Sequence, residues 1–419
     1  MLNTAELTPA LTESPAAPRS VLRMREILLM GAPKDMLDTG LAEMCDELGP
    51  GMSQALREGL TAGLNDRGWD DAVAAFGDLQ GSETACYLGP MRAREKSKAG
   101  FGLLYAERDD AAAQVVSTLE STVDDLGEAL FGFSCSFHGR KVEFYDLRVA
   151  AGPLTEFRDV PIALFSPFYL EGWEDTERQL ARRRTILLTN VVTERFRRIT
   201  AKVLEAGIRV DGKRPALLDA DETELRRAVP IWLSLHELMH GSGPMPFFAS
   251  WSGKDRVADY SAIEEARVDM SGFLAADLLA GVLPGADLAR ELIAAERLFR
   301  SARSGLLGQS PGTRPKLDDA HGLYWLSTGL RSGAVAVGRD GIDVDLGALG
   351  DAARSTLGRV YEVEQQAADS QDPEQHLRQV AGSLHSFMLP SGTLAEFAPV
   401  RDFFQRRTVA TPTGVKLSR

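Results

Sequence analysis

Hydrophobic and polar positions recur along this chain with two different periods. From Ser20 to Phe76, apolar residues return every three to four positions in segments such as DMLDTGLAEMCDEL and SQALREGLTAGL, which is typical of short amphipathic helices. The same spacing returns from Glu107 to Phe131. The segments FGFSCSF and KVEFYDLRV then flank the turn residues His138-Gly139-Arg140 and predict a β-hairpin. The first part of the chain is therefore predicted to mix helices and strands.

The second half of the chain is predicted to be mainly helical. Helical spacing runs through residues 175–206, from about Asp221 to His240, and through residues 262–302 and 317–332, with two more helices near the end. A second hairpin is predicted in GAVAVGRDGIDVDL. We therefore predict an α+β protein that is predominantly α. Its expected parts are a mobile tail at 1–20, a smaller mixed α/β N-terminal subdomain at 21–205 and a mainly helical subdomain at 206–419.

The most specific chemistry in the chain lies in the segment HELMH, where His236 and His240 are four residues apart. On a helix, residues at this spacing lie on one face, so both imidazoles can bind one ion. Glu237 stands beside the first histidine and can reach a water on the same ion. This is the zinc-hydrolase pattern, with a carboxylate as general base. The chain has 6 histidines, so a chance match has odds of roughly one in a hundred.

A catalytic zinc site needs a third protein ligand and an open position for water. Glu265 is the best candidate, because it lies 25 residues after His240 on a second helical segment, IEEARVDMSGFLAADLL. Asp269 lies one turn beyond Glu265 and can accept the free ring N–H of a ligating histidine. The pattern HExxH…ExxxD is that of the gluzincin peptidases and predicts one Zn²⁺ per chain. The alternative is an ordinary helix pair with these side chains in the core or on the surface.

The wider stretch resembles the dipeptidyl peptidase III family. HELMHGSGP resembles the family's HELLGHGSGK segment, and EEARVDMSGFL resembles its EECRAE segment. RRRTILLTNVVTERF and DDAHGLYWLSTGL are similar to the segments before the metal helix and around the catalytic histidine, so the resemblance covers roughly Thr185 to Leu330. This chain has HExxH where the family has HExxGH. Its ALFSPFYLEGW segment contains no Asn, whereas the family holds a peptide's amino terminus with an Asn-rich segment.

The resemblance implies a helical zinc-metallopeptidase catalytic domain. It implies that His236, His240 and Glu265 are the zinc ligands and that Glu237 is the general base. It further implies that His321 steadies the transition state. The expected function is zinc-dependent hydrolysis of a peptide or amide bond, with no cofactor other than zinc. Two alternatives stay open: a zinc enzyme of the same fold that acts on a small non-peptide metabolite, and a non-catalytic zinc-binding protein.

The composition of the chain argues against several classes of binding partner. Lys and Arg number 47 against 60 Asp and Glu, a net charge of −13, which argues against nucleic acid and anionic membranes as partners. No run approaches 18 apolar residues, and the first 20 residues lack a secretory pattern. The three cysteines have no CxxC spacing, which argues against a disulfide framework. We expect a soluble, cytoplasmic enzyme with a peptide or small-molecule substrate. The sequence does not indicate an oligomeric state.

Overall fold

The chain folds into two compact units in a computed structural model. One unit comprises Met1–Gln114 and Gly139–Val192, and the other comprises Val115–His138 and Thr193–Arg419. The structure describes residues 17–49, 54–65, 69, 71–72, 75, 83–92, 99–131, 141–154, 163–164, 184–244, 258–308, 317–390 and 396–410.

A mixed β-sheet organises the first unit. Its strands, in the spatial order β1-β2-β3-β5-β4, are β1 (Thr84–Arg92), β2 (Ala99–Arg108), β3 (Lys141–Ala151), β4 (Ala163–Leu164) and β5 (Arg184–Leu188). Neighbouring strands pair antiparallel except β3 and β5, which are parallel. Three helices precede the sheet in sequence: α1 (Arg19–Leu29), α2 (Lys34–Leu48) and α3 (Gln54–Leu64). Helix α1 packs on β2 and β3, and α3 packs on β1, so the unit's core lies between helices and sheet.

The sequence pattern was a partial guide to this sheet. Strand β3 confirms the predicted strand KVEFYDLRV, whereas the predicted turn at His138 lies outside the described residues, as does most of ALFSPFYLEGW. The prediction of a helix from Asp175 is wrong at 184–188, which forms β5. Residues 185–188 are all buried, so this parallel strand has no polar alternation to reveal it. Burial also explains why the pattern did not predict β1 and β2, since both contain runs of fully buried residues.

Helices make up most of the second unit. They are α4 (Asp110–Phe131) and α5 (Thr189–Arg195), which both begin in the first unit, α6 (Ala201–Glu205), α7 (Glu222–His240), α8 (Ala258–Leu279), α9 (Ala286–Ala294), α10 (Ala302–Gly308), α11 (Leu317–Ser332), α12 (Leu346–Ala368), α13 (Pro373–Met388) and α14 (Ala398–Ala410). Two π-helical turns, Phe196–Thr200 and Ala295–Ser301, join α5 to α6 and α9 to α10. The strands β6 (Ile208–Val210), β7 (Val335–Val337) and β8 (Ile342–Val344) form a small sheet in the order β6-β8-β7. Strands β7 and β8 confirm the second predicted hairpin.

Helix α8 lies at the centre of the second unit and packs against α7, α9, α11, α12 and α13. Every residue from Tyr260 to Ala276 is buried except Glu265. On α7, every residue from Ala228 to His240 is buried except His236. The predicted class, α+β and predominantly α, is confirmed. None of the helices in the described part of the chain is long and apolar enough to cross a bilayer.

Candidate metal centre

Helix α7 carries the HELMH segment and has a strong start signal. The Asp221 side chain accepts the backbone N–H of Glu224, and the Glu224 side chain accepts the backbone N–H of Asp221. This capping box satisfies two backbone donors that a helix start leaves unpaired. The helix continues through Pro230 to His240, so both histidines lie in its last two turns.

Three donor atoms from α7 and α8 converge. His236 Nε2 lies 3.2 Å from His240 Nε2 and 3.5 Å from Glu265 Oε2, and the three residues' ligand atoms lie within 4.8 Å of one another. Zinc binds imidazole nitrogen and carboxylate oxygen at about 2.0–2.2 Å, so neighbouring donors of a tetrahedral site are about 3.3–3.5 Å apart. Two of the donor separations are close to this value. The residues present therefore fit a zinc ion in both chemistry and spacing.

Two of the candidate ligands, His236 and Glu265, are the accessible residues of the otherwise buried stretches 228–240 and 260–276. The His236 side chain is 15% exposed and the Glu265 side chain is 24% exposed. A catalytic zinc site differs from a structural one in keeping a position open for water or substrate. Glu237, directly after His236, is only 4% exposed. Access to the donor atoms beside a sheltered carboxylate is the arrangement that zinc-assisted hydrolysis requires.

Negative charge dominates the electrostatics around these donors. Burial alone lowers the pKa of His236, but the charges of Asp269, Glu265 and Glu237 offset this effect and raise the pKa to about 9. Burial raises the pKa of Glu265, and the neighbouring carboxylates of Glu264 and Asp269 raise it further against the opposing effect of the two histidines. Carboxylates gathered at one point repel one another, and a bound divalent cation relieves that repulsion.

Asp269 lies behind His236 and is completely buried. Its Oδ1 is 3.1 Å from His236 Nδ1 and accepts a hydrogen bond from Trp232 Nε1 at 3.3 Å. Its Oδ2 is 2.6 Å from Arg297 Nε. Burial would raise the pKa of Asp269, but Arg297 and His236 hold it well below its usual value. Asp269 is therefore a charged acceptor, so His236 donates through Nδ1 and keeps Nε2 for a ligand role.

His321, on α11, is brought to the same carboxylate. It is 2% exposed, and its Nε2 lies 2.9 Å from Asp269 Oδ2. The structure thus places His321 next to the residue that supports His236. The role in the transition state that the resemblance implies for His321 stays a prediction.

Glu264 was not predicted as a site residue from the sequence. Its Oε1 lies 2.5 Å from His240 Nδ1. Each histidine of the motif therefore has its own buried carboxylate, Asp269 for His236 and Glu264 for His240. The signal was present in the sequence, because Glu264 directly precedes the predicted ligand Glu265. No local motif indicates Arg297, which comes from a later helix.

Arg297 belongs to the π-helical turn between α9 and α10, and the residue before it anchors that turn. Glu296 is completely buried. Three side chains hold its carboxylate: Arg195, Thr200 and Arg300. Burial would raise the pKa of Glu296, but these partners lower it to about 2. Glu296 and Arg297 are neighbours in sequence but have different partners. Glu296 contacts α5 and the first π turn, whereas Arg297 contacts Asp269.

Comparison with known proteins addresses the fold. No protein-family profile matches the chain, and no curated protein sequence matches it. Chains of solved structures do match it, among them two dipeptidyl peptidase III structures. A DPP III structure from Caldithrix abyssi superposes with a TM-score of 0.61 at 16% identity, and the match covers 90% of this chain and 68% of that one. A dipeptidyl-peptidase III structure from Corallococcus sp. strain EGB superposes with a TM-score of 0.54 at 19% identity, covering 90% of this chain and 66% of that one.

The chain thus spans about two thirds of the length of either structure. At these identities the likeness concerns the fold alone. The resemblance is confirmed at that level: the chain has a dipeptidyl peptidase III-like fold.

Proposed function

We propose that this chain is a zinc-dependent hydrolase that cleaves a peptide or amide bond. The observation that carries the proposal is the convergence of His236, His240 and Glu265 beside Glu237, with ligand atoms within 4.8 Å of one another. The three ligands would hold one zinc ion per chain. A peptide substrate is supported by the names of the two structural neighbours, which are both dipeptidyl peptidases III.

Each residue has a distinct part in the proposed chemistry. A bound zinc ion supplies Lewis acidity towards water and towards a carbonyl oxygen. Glu237 takes the proton of the attacking water and later delivers it to the leaving nitrogen, as a general base and then a general acid. His236 is held in the ligating tautomer by Asp269, and His240 by Glu264. Retention of Glu237 favours an enzyme over a structural zinc protein, because a structural site needs no base.

Two different roles for His321 are each supported by an observation. The family resemblance favours direct stabilisation of the transition state. The 2.9 Å separation from Asp269 Oδ2 favours a positioning role, in which His321 acts on the metal centre through Asp269. We adopt the positioning role, because it follows from a contact of this chain.

The experiment that tests the proposal combines metal analysis with a peptide-library digest read by mass spectrometry. Wild type should contain about one zinc per chain and cleave library peptides. Glu237→Gln should keep the zinc and lose at least about a hundredfold in rate, because an amide cannot accept the proton. The matched control is Glu222→Gln, on the same helix with a half-exposed side chain, which should retain full activity.

Two results would overturn the proposal in different ways. Protein never exposed to chelator that contains no transition metal would refute the zinc site. Zinc-loaded wild type that cleaves no peptide would refute the peptidase and direct the search to small amides. A Glu237→Gln variant with zinc and near-normal turnover would move the general base to another residue.

A further inference from the structure

An ion pair between α8 and α12 is buried next to the metal centre without belonging to it. Arg267 Nε lies 3.1 Å from Glu364 Oε1, and the two side chains are 0% and 1% exposed. Burying two charges costs several kcal/mol per ion in desolvation, so such a pair is weak evidence for stability. The other contacts of this pair indicate what it does instead.

Arg267 binds the end of the metal helix α7. Its NH1 group donates to the carbonyl oxygens of Met239 at 3.2 Å and Ser242 at 3.0 Å, on either side of His240 in sequence. The last carbonyls of a helix have no partner within the helix and carry the negative end of its dipole. A guanidinium at this point therefore fixes the backbone from which the His240 side chain projects.

Arg267 also reaches the carboxylate behind His240. Its NH2 group donates to Glu264 Oε1 at 3.3 Å, and this same oxygen is 2.5 Å from His240 Nδ1. Glu264 is thus held between a fixed cation and the imidazole. With Nδ1 bound to Glu264, His240 turns Nε2 towards His236 Nε2, which is 3.2 Å away. Arg267 therefore acts on His240 through both its backbone and its ring.

Glu364 fixes Arg267 in turn. Besides the ion pair, its Oε1 accepts the hydroxyl of Tyr260, in the first turn of α8. The chain after α7 also approaches here, because a Cβ at Gly243 would lie 2.8 Å from the Tyr361 ring and 3.1 Å from Glu364 Oε2. Gly243 has φ +92°, a conformation that favours glycine. Glu364 thus ties α12 to α8 and to the end of α7.

We propose that Arg267 and Glu364 are positioning residues of the metal centre, which set the orientation of His240 through Glu264 and through the end of α7. The inference rests on the proposed zinc site and adds two residues from outside the motif to it. Neither residue touches the donor atoms. Their effect should therefore appear in metal affinity, as it does when residues that orient metal ligands are replaced elsewhere, at about ten- to a hundredfold per residue.

The test measures zinc affinity by competition with a chromophoric chelator, on the full chain at pH 8. Burial raises the pKa of Glu364 to about 7, so the carboxylate is mostly ionised at this pH. Glu364→Gln should bind zinc about tenfold more weakly than wild type. Glu362→Gln is the matched control: it lies two residues away on the same helix, with a 64% exposed side chain, and should bind zinc like wild type.

A double-mutant cycle separates positioning from general loss of charge or stability. If Glu364 acts through Arg267, the Glu264→Gln/Glu364→Gln double variant should lose less zinc affinity than the two single losses combined, because the route through Glu264 is already removed and only the route through the end of α7 remains. Combination with Asp269→Asn, which affects the other histidine, should give additive losses. Additive losses in both combinations would indicate an unspecific charge effect and overturn the proposal.

The remaining outcomes are also decisive. If Glu364→Gln lowers the melting temperature but binds zinc like wild type at 20 °C, the pair is structural and the proposal is wrong. If Glu364→Gln does not fold, Arg267→Lys takes its place: it keeps the charge but loses the fork of contacts, so its zinc affinity should fall in the same way. Failure of wild type to bind zinc refutes the proposed function along with the inference, whereas zinc binding without peptide cleavage refutes the peptidase alone.

Discussion

The two histidines of the proposed metal centre have the same chemistry but are supported in different ways. Behind His236 is the Asp269 network, which comprises Asp269, Trp232, Arg297 and His321. Behind His240 is the Glu264 network, which comprises Glu264, Arg267 and Glu364. In the first, every partner reaches one carboxylate directly. In the second, the partners form a chain that alternates in charge and includes the end of α7.

Because of this difference, the orientations of His236 and His240 depend on different parts of the structure. Asp269 collects donors from α7, α11 and the π turn, so His236 is oriented by the packing of the whole helical core. Glu264 shares Arg267 with the carbonyls at the end of α7, so the orientation of His240 depends on how the chain leaves the metal helix. A change after residue 240 should therefore reach His240 before it reaches His236. The predictions that follow test this division, beginning with the largest effect.

Loss of either histidine should abolish the proposed zinc site, in which both histidines bind one ion. His236→Ala and His240→Ala should each weaken zinc binding by at least about a thousandfold, because two remaining ligands make a poor zinc site. The measurement is zinc content after passage over a chelating column. His385→Ala, on α13, is the control and should keep its zinc. A stoichiometric zinc in either ligand variant would remove that histidine from the site.

Glu296 anchors the turn that carries Arg297, and its loss should be the next largest effect. Its folded-state pKa of about 2 lies below the ordinary value of 4.5, so its ionised form stabilises the protein above pH 4.5. That contribution, about 3 kcal/mol from the pKa difference, is lost as the pH falls from about 4.5 to about 2. Glu296→Gln should therefore unfold more easily than wild type in urea at pH 6.

The pH series provides the check on that prediction. The difference in unfolding free energy between wild type and Glu296→Gln should shrink as the pH is lowered from 6 towards 3. Glu362→Gln should show no such difference at any of these pH values. A constant gap between wild type and Glu296→Gln would mean that the carboxylate's charge is not what stabilises the turn.

Asp269→Asn and Glu264→Gln compare the two networks directly. We expect Asp269→Asn to weaken zinc binding by up to about a hundredfold, and Glu264→Gln by about tenfold, because Asp269 has the larger set of fixed partners. The amide of Asn leaves Arg297 buried without its counter-charge, so thermal stability should fall too. Chelator competition and melting curves give both values. The opposite order of zinc affinities would show that the chain of alternating charges orients its histidine more strongly.

The smallest expected effect on zinc binding is that of replacing His321. If His321 acts through Asp269, His321→Gln should weaken zinc binding a few-fold and change kcat of the zinc-loaded enzyme by less than about tenfold. A transition-state donor behaves differently: its loss leaves zinc affinity intact and lowers kcat by about a hundred- to a thousandfold. Titrating zinc before measuring kcat distinguishes the two roles, and the second result would restore the role that the family resemblance implies.

The sequence predicted the parts of this site that are local. A helix from about Asp221 that includes His236 and His240 follows from the helical spacing of apolar residues and the four-residue spacing of the histidines. Leu317–Ser332 is predicted to the residue, because its helical period is bounded by a Gly/Pro-rich linker and a glycine. These features are encoded over one or two turns, where spacing alone decides which side chains share a face.

The parts that could not be predicted depend on distant segments. Arg297, in the π turn after α9, and Glu364, on α12, follow His240 by 57 and 124 residues. No spacing rule connects them to the motif. Strand β5 was missed for the opposite reason: burial on both faces removes the alternation of polar and apolar residues that identifies a strand. Buried charges and buried strands thus leave little trace in the hydrophobic pattern.

The burial of α8 constrains how proteins with this fold can diversify. Between Tyr260 and Ala276 the helix offers solvent one side chain, Glu265, so almost any substitution there also changes core packing. Lineages that acquire new substrates would keep this helix nearly constant and vary the segments around the donor atoms. Tolerance of mutation, mapped position by position, should therefore be low from Tyr260 to Ala276 except at Glu265, and should recover at Asp277, where the helix becomes exposed again.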